Sequence, residues 1–215
     1  MALSGDVVLA SAPEPGGRLL LLDRYPAAVV TILDRDTFRV LGQIGVGTGF
    51  AANPHDLLVP VPGQAWVTRY EANPSPGRMP CDGGDDVLRI DLDSGAVTGC
   101  TPLGLLADPG LRARPERFAA AEGRVWVTLG HLAEDFGSAG PGLVAGLDAA
   151  TGELLDVVEL PELANCAGLL PVPGRPLLAV SCTGLFAAGP EEQRAASGLA
   201  LVDLATGPPA ADLLL

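Results

Sequence analysis

Two groups of side chains in this sequence could do chemistry. The first is the set of acids in one Gly- and Pro-rich stretch, EANPSPGRMPCDGGDD, at residues 71–86. Glu71, Asp82, Asp85 and Asp86 offer hard carboxylate oxygens of the kind that ligate Ca²⁺. Their spacing departs from the EF-hand pattern, so the competing reading is a set of turn-forming, solvated acids. The second group is three polar pairs, each at the start of an apolar run: His55-Asp56, Glu116-Arg117 and Asn165-Cys166. Brought together, these groups could bind a small polar ligand. Held apart, they would hydrogen-bond their neighbours and only imitate a site. His55 and His131 are the only histidines. No Ser-His-Asp arrangement, nucleophile elbow, HExxH or phosphate loop is written in the chain. GVGTGF at residues 45–50 has the wrong glycine spacing and leads into NPHD rather than a helix.

The four cysteines, Cys81, Cys100, Cys166 and Cys182, do not follow a zinc spacing. They are either buried free thiols or two disulfides. Cys166 and Cys182 lie eight residues either side of Gly174. In an antiparallel hairpin turning there, they would face each other at about 4.5–5.5 Å, within disulfide range unless a bulge shifts the register. Cys81 sits in the acidic loop, which could fold back to reach Cys100. Two such bonds would place the protein in an oxidising compartment.

The elements that must position these residues are repeated. Four apolar strands end in Asp before a tight turn: VVTILDRDTF, VLRIDLDSG, LVAGLDAATG and LALVDLATG. The aspartates are Asp34, Asp91, Asp148 and Asp203, spaced by 57, 57 and 55 residues. Each Asp can accept turn N–H bonds. Gly95, Gly152 and Gly207 follow four positions later and can take the positive φ of a short hairpin turn. Phe38 stands there in the first repeat, so a different turn is expected. A hairpin precedes each of these strands, as in HDLLVPVPGQAWVTRY, ERFAAAEGRVWVTLG and CAGLLPVPGRPLLAVSC. Trp66 aligns with Trp126, both as core packing, and Asp23-Arg24-Tyr25 echoes Thr68-Arg69-Tyr70. Each repeat therefore has four short antiparallel strands, A to D, which is one blade of a β-propeller. The expected fold is all-β, one propeller domain, with four blades near residues 5–46, 55–102, 115–160 and 164–215. A two-sheet sandwich is the structural alternative.

The stretch from GRLLLLDRYP to WVTRYEANP resembles the YVTN family of β-propellers. It is most similar to extracytoplasmic, lipoprotein-like members of myxobacterial type. WVTR at residues 66–69 stands where that family has Tyr-Val-Thr-Asn, and NPHD at 53–56 matches the usual start of an inner strand. The resemblance implies a periplasmic or cell-surface address and a binding face where the B–C and D–A loops emerge. It does not imply a particular function. Family members usually have more blades, so the chain reads as truncated. The N-terminus lacks the basic and apolar regions of a signal peptide.

Three B–C loops are long, at residues 71–86, 131–142 and 183–197, and long irregular loops are often functional. The leading expectation is a non-catalytic binding or scaffold propeller for a small molecule or protein. The alternative is a lactonase-type hydrolase using a divalent metal at the channel mouth, which would draw on Asp56, Glu116 and Asn165. The net charge is −13, with 13 Arg and no Lys, which disfavours nucleic acid and anionic lipid as partners. No apolar run is long enough to cross a membrane as a helix. Open apolar blade faces would favour homo-oligomers.

Overall fold

The computed structural model describes residues 5–214. Four antiparallel sheets of four strands follow one another along the chain, and in each the strand order is the chain order. The first holds β1 (Val7–Leu9), β2 (Arg18–Asp23), β3 (Val29–Asp34) and β4 (Val40–Gly45). The second holds β5 (Pro54–Val61), β6 (Gln64–Ala72), β7 (Gly84–Asp91) and β8 (Val97–Pro102). A ribbon of β9 (Leu111–Arg112) and β12 (Leu132–Ala133) flanks the third sheet, which is β10 (Pro115–Ala121), β11 (Arg124–Leu129), β13 (Gly142–Asp148) and β14 (Leu154–Leu160). The fourth is β15 (Cys166–Pro171), β16 (Leu177–Thr183), β17 (Ser197–Asp203) and β18 (Ala210–Leu213). Successive four-stranded meanders of this kind are propeller blades.

The chain divides into two compact units, residues 1–102 and 103–215, each with two sheets. In the first unit, alternate residues of neighbouring sheets interdigitate. Leu20, Leu22, Val30 and Ile32 pack against Leu57, Val67, Leu88 and Ile90. In the second unit, Trp126, Val144 and Val158 pack against Leu169, Leu178, Val180 and Val202. The period-two alternation of the sequence thus buries one face of each sheet on the next.

The repeated Asp turns are built by side chains. Oδ1 of Asp91 accepts from Ser94 N (2.7 Å) and Ser94 Oγ (2.7 Å), and Oδ1 of Asp148 from Thr151 N (2.8 Å) and Oγ1 (3.0 Å). The first turn proves identical rather than different. Asp34 binds Thr37 in the same way, and Phe38 sits at φ +57°, where Gly95 and Gly152 have +73° and +76°. Phe38 N donates to Asp34 O at 2.8 Å, as Gly95 does to Asp91 and Gly152 to Asp148. The capping bonds hold a left-handed residue that would otherwise be strained. The departure is in the fourth repeat. In the other three turns the hydroxyl also accepts the N–H of Arg39, Ala96 or Glu153. Pro208 holds that place after Gly207 and has no N–H to give. Beyond the first three turns the D strand carries a bulge, which the fourth sheet lacks.

Register also corrects one alignment. Arg18 faces Asp34 as Gln64 faces Asp91, so Asp23 occupies the place of Arg69, and Leu22 that of Thr68. The echo of Asp23-Arg24-Tyr25 in Thr68-Arg69-Tyr70 is one residue out of step.

Candidate functional site

The inner A strands of three sheets enter through one motif: an Ala, then a residue with positive φ. These are Ala52-Asn53 (φ +44°), Ala113-Arg114 (+53°) and Ala164-Asn165 (+53°). Both carbonyls accept N–H bonds from the end of the neighbouring B strand. Tyr70 and Glu71 donate to Asn53 and Ala52, Gly130 and His131 to Arg114 and Ala113, and Thr183 and Gly184 to Asn165 and Ala164. Each A strand then bulges, with two residues opposite one: His55-Asp56 opposite Thr68, Glu116-Arg117 opposite Thr128, and Ala167-Gly168 opposite Ser181. Two of the three polar pairs therefore hold equivalent positions. Asn165-Cys166 stands two residues earlier in its strand, in the places of Asn53 and Pro54.

In the first unit, Asp56 is fully buried. Its carboxylate accepts from Ser11 Oγ (2.5 Å) and from Leu57 N (2.8 Å), and its N–H donates to Thr68 Oγ1 (2.8 Å). His55 stacks on Tyr70 with ring centroids 4.1 Å apart. Beside them lies a fully buried guanidinium. Arg69 grips Asp86 with both Nε (2.7 Å) and Nη2 (2.5 Å), and it also donates to Thr48 Oγ1 and the Cys81 carbonyl (both 2.6 Å). Burial pushes the Asp86 carboxyl above the ordinary carboxylate range, and the Arg69 fork works against that shift.

The four acids named for Ca²⁺ thus have separate surroundings. Asp86 is bound by Arg69. Asp82 Oδ2 accepts from Gly77 N at 2.6 Å and caps the loop. Asp85 is buried with φ +49°, and Glu71 is half-buried at the end of β6. Among the described residues, no group of three or more His, Cys, Asp or Glu is arranged to hold a metal. The loop carrying these acids is tied down by a Cys81–Cys100 disulfide (Cα–Cα 5.6 Å).

In the second unit, Arg117 N donates to Thr128 Oγ1, just as Asp56 N donates to Thr68. Glu116 and Arg117 are half-buried. Asn165 Nδ2 donates to Thr183 Oγ1 (2.9 Å) and Gly184 O (3.2 Å), holding the start of its B–C loop. Arg114 does the same with a longer reach, donating to the carbonyls of Ala133 and Glu134 beneath the ring of Phe136. His131 is buried; Nδ1–H donates to Pro141 O (2.8 Å), and Nε2 accepts from Asp108 N (3.0 Å). The second disulfide, Cys166–Cys182, joins directly opposed residues. The hairpin ladder is offset by one residue from symmetry about Gly174, and the bulge at Ala167 restores the facing pair.

The three long loops carry structure of their own, because their backbone groups need partners. β6 and β7 continue to an Ala72–Gly84 pair, β12 pairs with β9, and a short helix α1 (Pro190–Ala195) fills the third loop. At each of these loop ends an apolar side chain remains outside: Met79 (74 % exposed), Phe136 and Phe186 (73 %), with Tyr25 in the short first loop.

Sequence reasoning read His131 as structural rather than catalytic without naming its partners, and gave Arg69 and Arg114 no structural role. The signal was present for Arg69: a lone Arg inside the apolar run QAWVTRYEA, followed by the pair Asp85-Asp86. For Arg114 and His131 the partners are backbone carbonyls and amides, which leave no mark in side-chain identity.

No protein-family model matches the chain, and no curated protein does. Solved structures do. Sqt1 of Saccharomyces cerevisiae aligns with a TM-score of 0.59 at 12 % identity, over 94 % of this chain and 46 % of that one. A chain of a mitotic checkpoint complex gives 0.59 at 12 %, over 97 % and 51 %. A protein of unknown function from Bacteroides caccae gives 0.62 at 14 %, over 94 % and 66 %. The first two are WD40-type propellers. The fold is an all-β propeller fold, and the chain spans about half to two thirds of the length of these structures.

Proposed function

We propose that this chain is a non-catalytic binding propeller of the YVTN type, working outside the cytoplasm, with a protein partner held by its B–C loop ends. The observation that carries the reading is the division of labour at those ends. Asp56, Arg69, Asp86, Arg114, Asn165 and His131 are engaged in bonds that hold strands and loops of their own unit. Met79 and Phe186 remain largely exposed on the braced loops, and Phe136, which covers Arg114, is exposed in part. Exposed aromatic and Met side chains on rigid supports are the composition of protein-binding surfaces. The two disulfides support an oxidising compartment.

The test is photo-cross-linking in cells. A photoreactive residue at position 79 or 186 should capture a discrete protein in the extracytoplasmic fraction, and the same residue at Val97, on the outer strand β8, should not. Equal capture at all three positions would remove the loop assignment. Ca²⁺-dependent turnover in a lactone-hydrolysis assay would overturn the non-catalytic reading.

A further inference from the structure

We propose that the groove between the end of β14 and strands β17 and β18 binds a lysine or arginine side chain, presented by an extended segment of a basic partner protein. The groove has a volume of about 180 Å³ and lies wholly within the second unit. Its floor is apolar. Leu160 ends β14, Leu163 follows in the connection to β15, Ala200 belongs to β17 and Ala211 to β18. An apolar cavity of about 150 Å³ takes one molecule the size of benzene, so this groove takes a single long side chain. The charged residues lining it are Glu159 and Glu162, both exposed. Among the described residues neither carboxylate has a hydrogen-bond or ion-pair partner, whereas Asp156 on the same strand is held by Arg124. A side chain with an apolar stem and a cationic head is the complement of such a groove. The stem lies on the leucines and alanines, and the head reaches the two carboxylates.

In the first unit the equivalent recess is filled. Counted back from the turn aspartates, Ala200 stands where the second sheet has Leu88, and its lateral partner Leu213 where that sheet has Cys100. Leu88 is fully buried in a cluster with Val46, which holds the place of Leu160. Cys100 is bonded to Cys81, and both pack on the same cluster. The B–C loop brings Cys81 there, and the Cys81 carbonyl accepts from Thr48 Oγ1 in the connection leaving β4 (3.3 Å). The fourth sheet has no such filling. Its B–C loop forms α1, and its two cysteines join β15 to β16. Ala200 in place of Leu88 shortens the floor to a methyl group, and Glu159 stands where the first sheet has Gly45. The recess that one unit closes with its own loop is thus open in the other, with acids at its rim. The occupant is a basic partner rather than a second copy, because chains of net charge −13 repel one another and attract a basic surface. The groove lies beside a B–C loop: Ala164 N, next to Leu163, donates to Ala196 O where that loop ends. The inference adds one chemical requirement, a basic residue, to the protein partner proposed above, and rests on that reading only for the source of the side chain.

The test is methyl NMR of the isotope-labelled full chain at low salt. The probes are blocked pentapeptides of alanine with one central lysine, arginine or norleucine. The lysine and arginine peptides should give saturable shifts at the methyls of Leu160, Leu163, Ala200 and Ala211. They should bind roughly fivefold tighter than the norleucine peptide, which has the stem without the charge. Glu159→Gln with Glu162→Gln should bring the lysine peptide down to the norleucine level. Ala200→Leu, which installs the residue of the second sheet, should abolish saturation. If circular dichroism shows that this variant has lost its strand signal, Ala211→Val is read instead. The absence of saturable shifts at these methyls, or equal binding of the norleucine peptide, would overturn the proposal. So would lysine-induced shifts that Ala200→Leu leaves unchanged, which would report general acidity, or shifts that follow protein concentration alone, which would make a second copy the occupant. None of these results bears on capture at positions 79 and 186, so the two readings fail separately.

Discussion

Arg69 and Asp86 show what a single residue can and cannot contribute here. Both are buried, so removing one leaves the other desolvated without its charged partner. Arg69→Ala should destabilise the protein by about 3–5 kcal/mol in urea unfolding, whereas the double change Arg69→Met with Asp86→Leu should recover most of that loss. If the two single changes were additive in the double variant, the pair would not be acting as a unit. The repeated turn aspartates behave differently because they are only half-buried, at surface turns. Bonds from Thr37 to Asp34, from Ser94 to Asp91 and from Thr151 to Asp148 hold all three carboxyls below the ordinary carboxylate value. A depressed folded-state value means that stability is present above the unfolded value, near 3.9, and is lost as pH falls through the folded one. Asp86 is raised by burial, so its own contribution runs the other way and declines as pH rises. Asp6 and Glu14 are lowered as well, so with five groups against one the unfolding midpoint should fall as pH drops below about 5. Replacing Asp34, Asp91 and Asp148 by Asn should flatten that fall. A profile unchanged in the triple variant would show that the turns do not carry the acid sensitivity.

At the scale of the element, Phe38 is a large side chain in a turn shaped for glycine. A left-handed residue with a Cβ costs roughly 1–2 kcal/mol, against roughly 0.5–1 for the extra freedom of glycine in the unfolded chain. Phe38→Gly should therefore raise stability by up to about 1 kcal/mol, read as a shift in the urea midpoint; a loss would mean that the exposed ring makes an attractive contact. The two disulfides should separate on reduction. Cys81 and Cys100 are half-buried, whereas Cys166 and Cys182 lie in the core of their unit. Graded dithiothreitol followed by alkylation and mass spectrometry should therefore label the first pair at lower reductant than the second; simultaneous labelling would point to global unfolding instead. The strands and the turn aspartates were legible in the sequence because period-two alternation and an Asp before a turn are local signals. The Phe38 turn was misjudged because glycine was taken as its requirement, when the Asp-Thr bonds suffice to hold it. The A-strand bulges escaped because an extra residue leaves no trace in composition, and they moved the equivalents of His55-Asp56 to Ala167-Gly168. The sites of Arg114 and His131 escaped because only the folded backbone brings their carbonyl and amide partners within reach.

Across the whole molecule, a net charge of −13 with no Lys sets the response to salt. Like charges within about 10 Å at 0.1 M salt still repel, so added salt should raise the melting temperature and, at fixed protein concentration, favour association of chains. Scanning calorimetry from 0.02 to 0.5 M NaCl checks this; a flat or falling melting temperature would show that specific ion pairs outweigh the general repulsion. In every four-stranded sheet the strands pair in chain order, with only the third interrupted, by β12, which pairs with β9 outside it. Pairing in chain order lets each sheet close within its own segment of the chain. A chain emerging N-terminus first can complete one sheet before the next has appeared. The same order governs oxidation. Cys81 and Cys100 are 19 residues apart within one sheet, and Cys166 and Cys182 are 16 apart within another. The first cysteine therefore meets its native partner before the other two have been made, and the last two meet each other after the first pair is closed. In an oxidising compartment, vectorial emergence of the chain would favour the native pairing among the three that four cysteines allow.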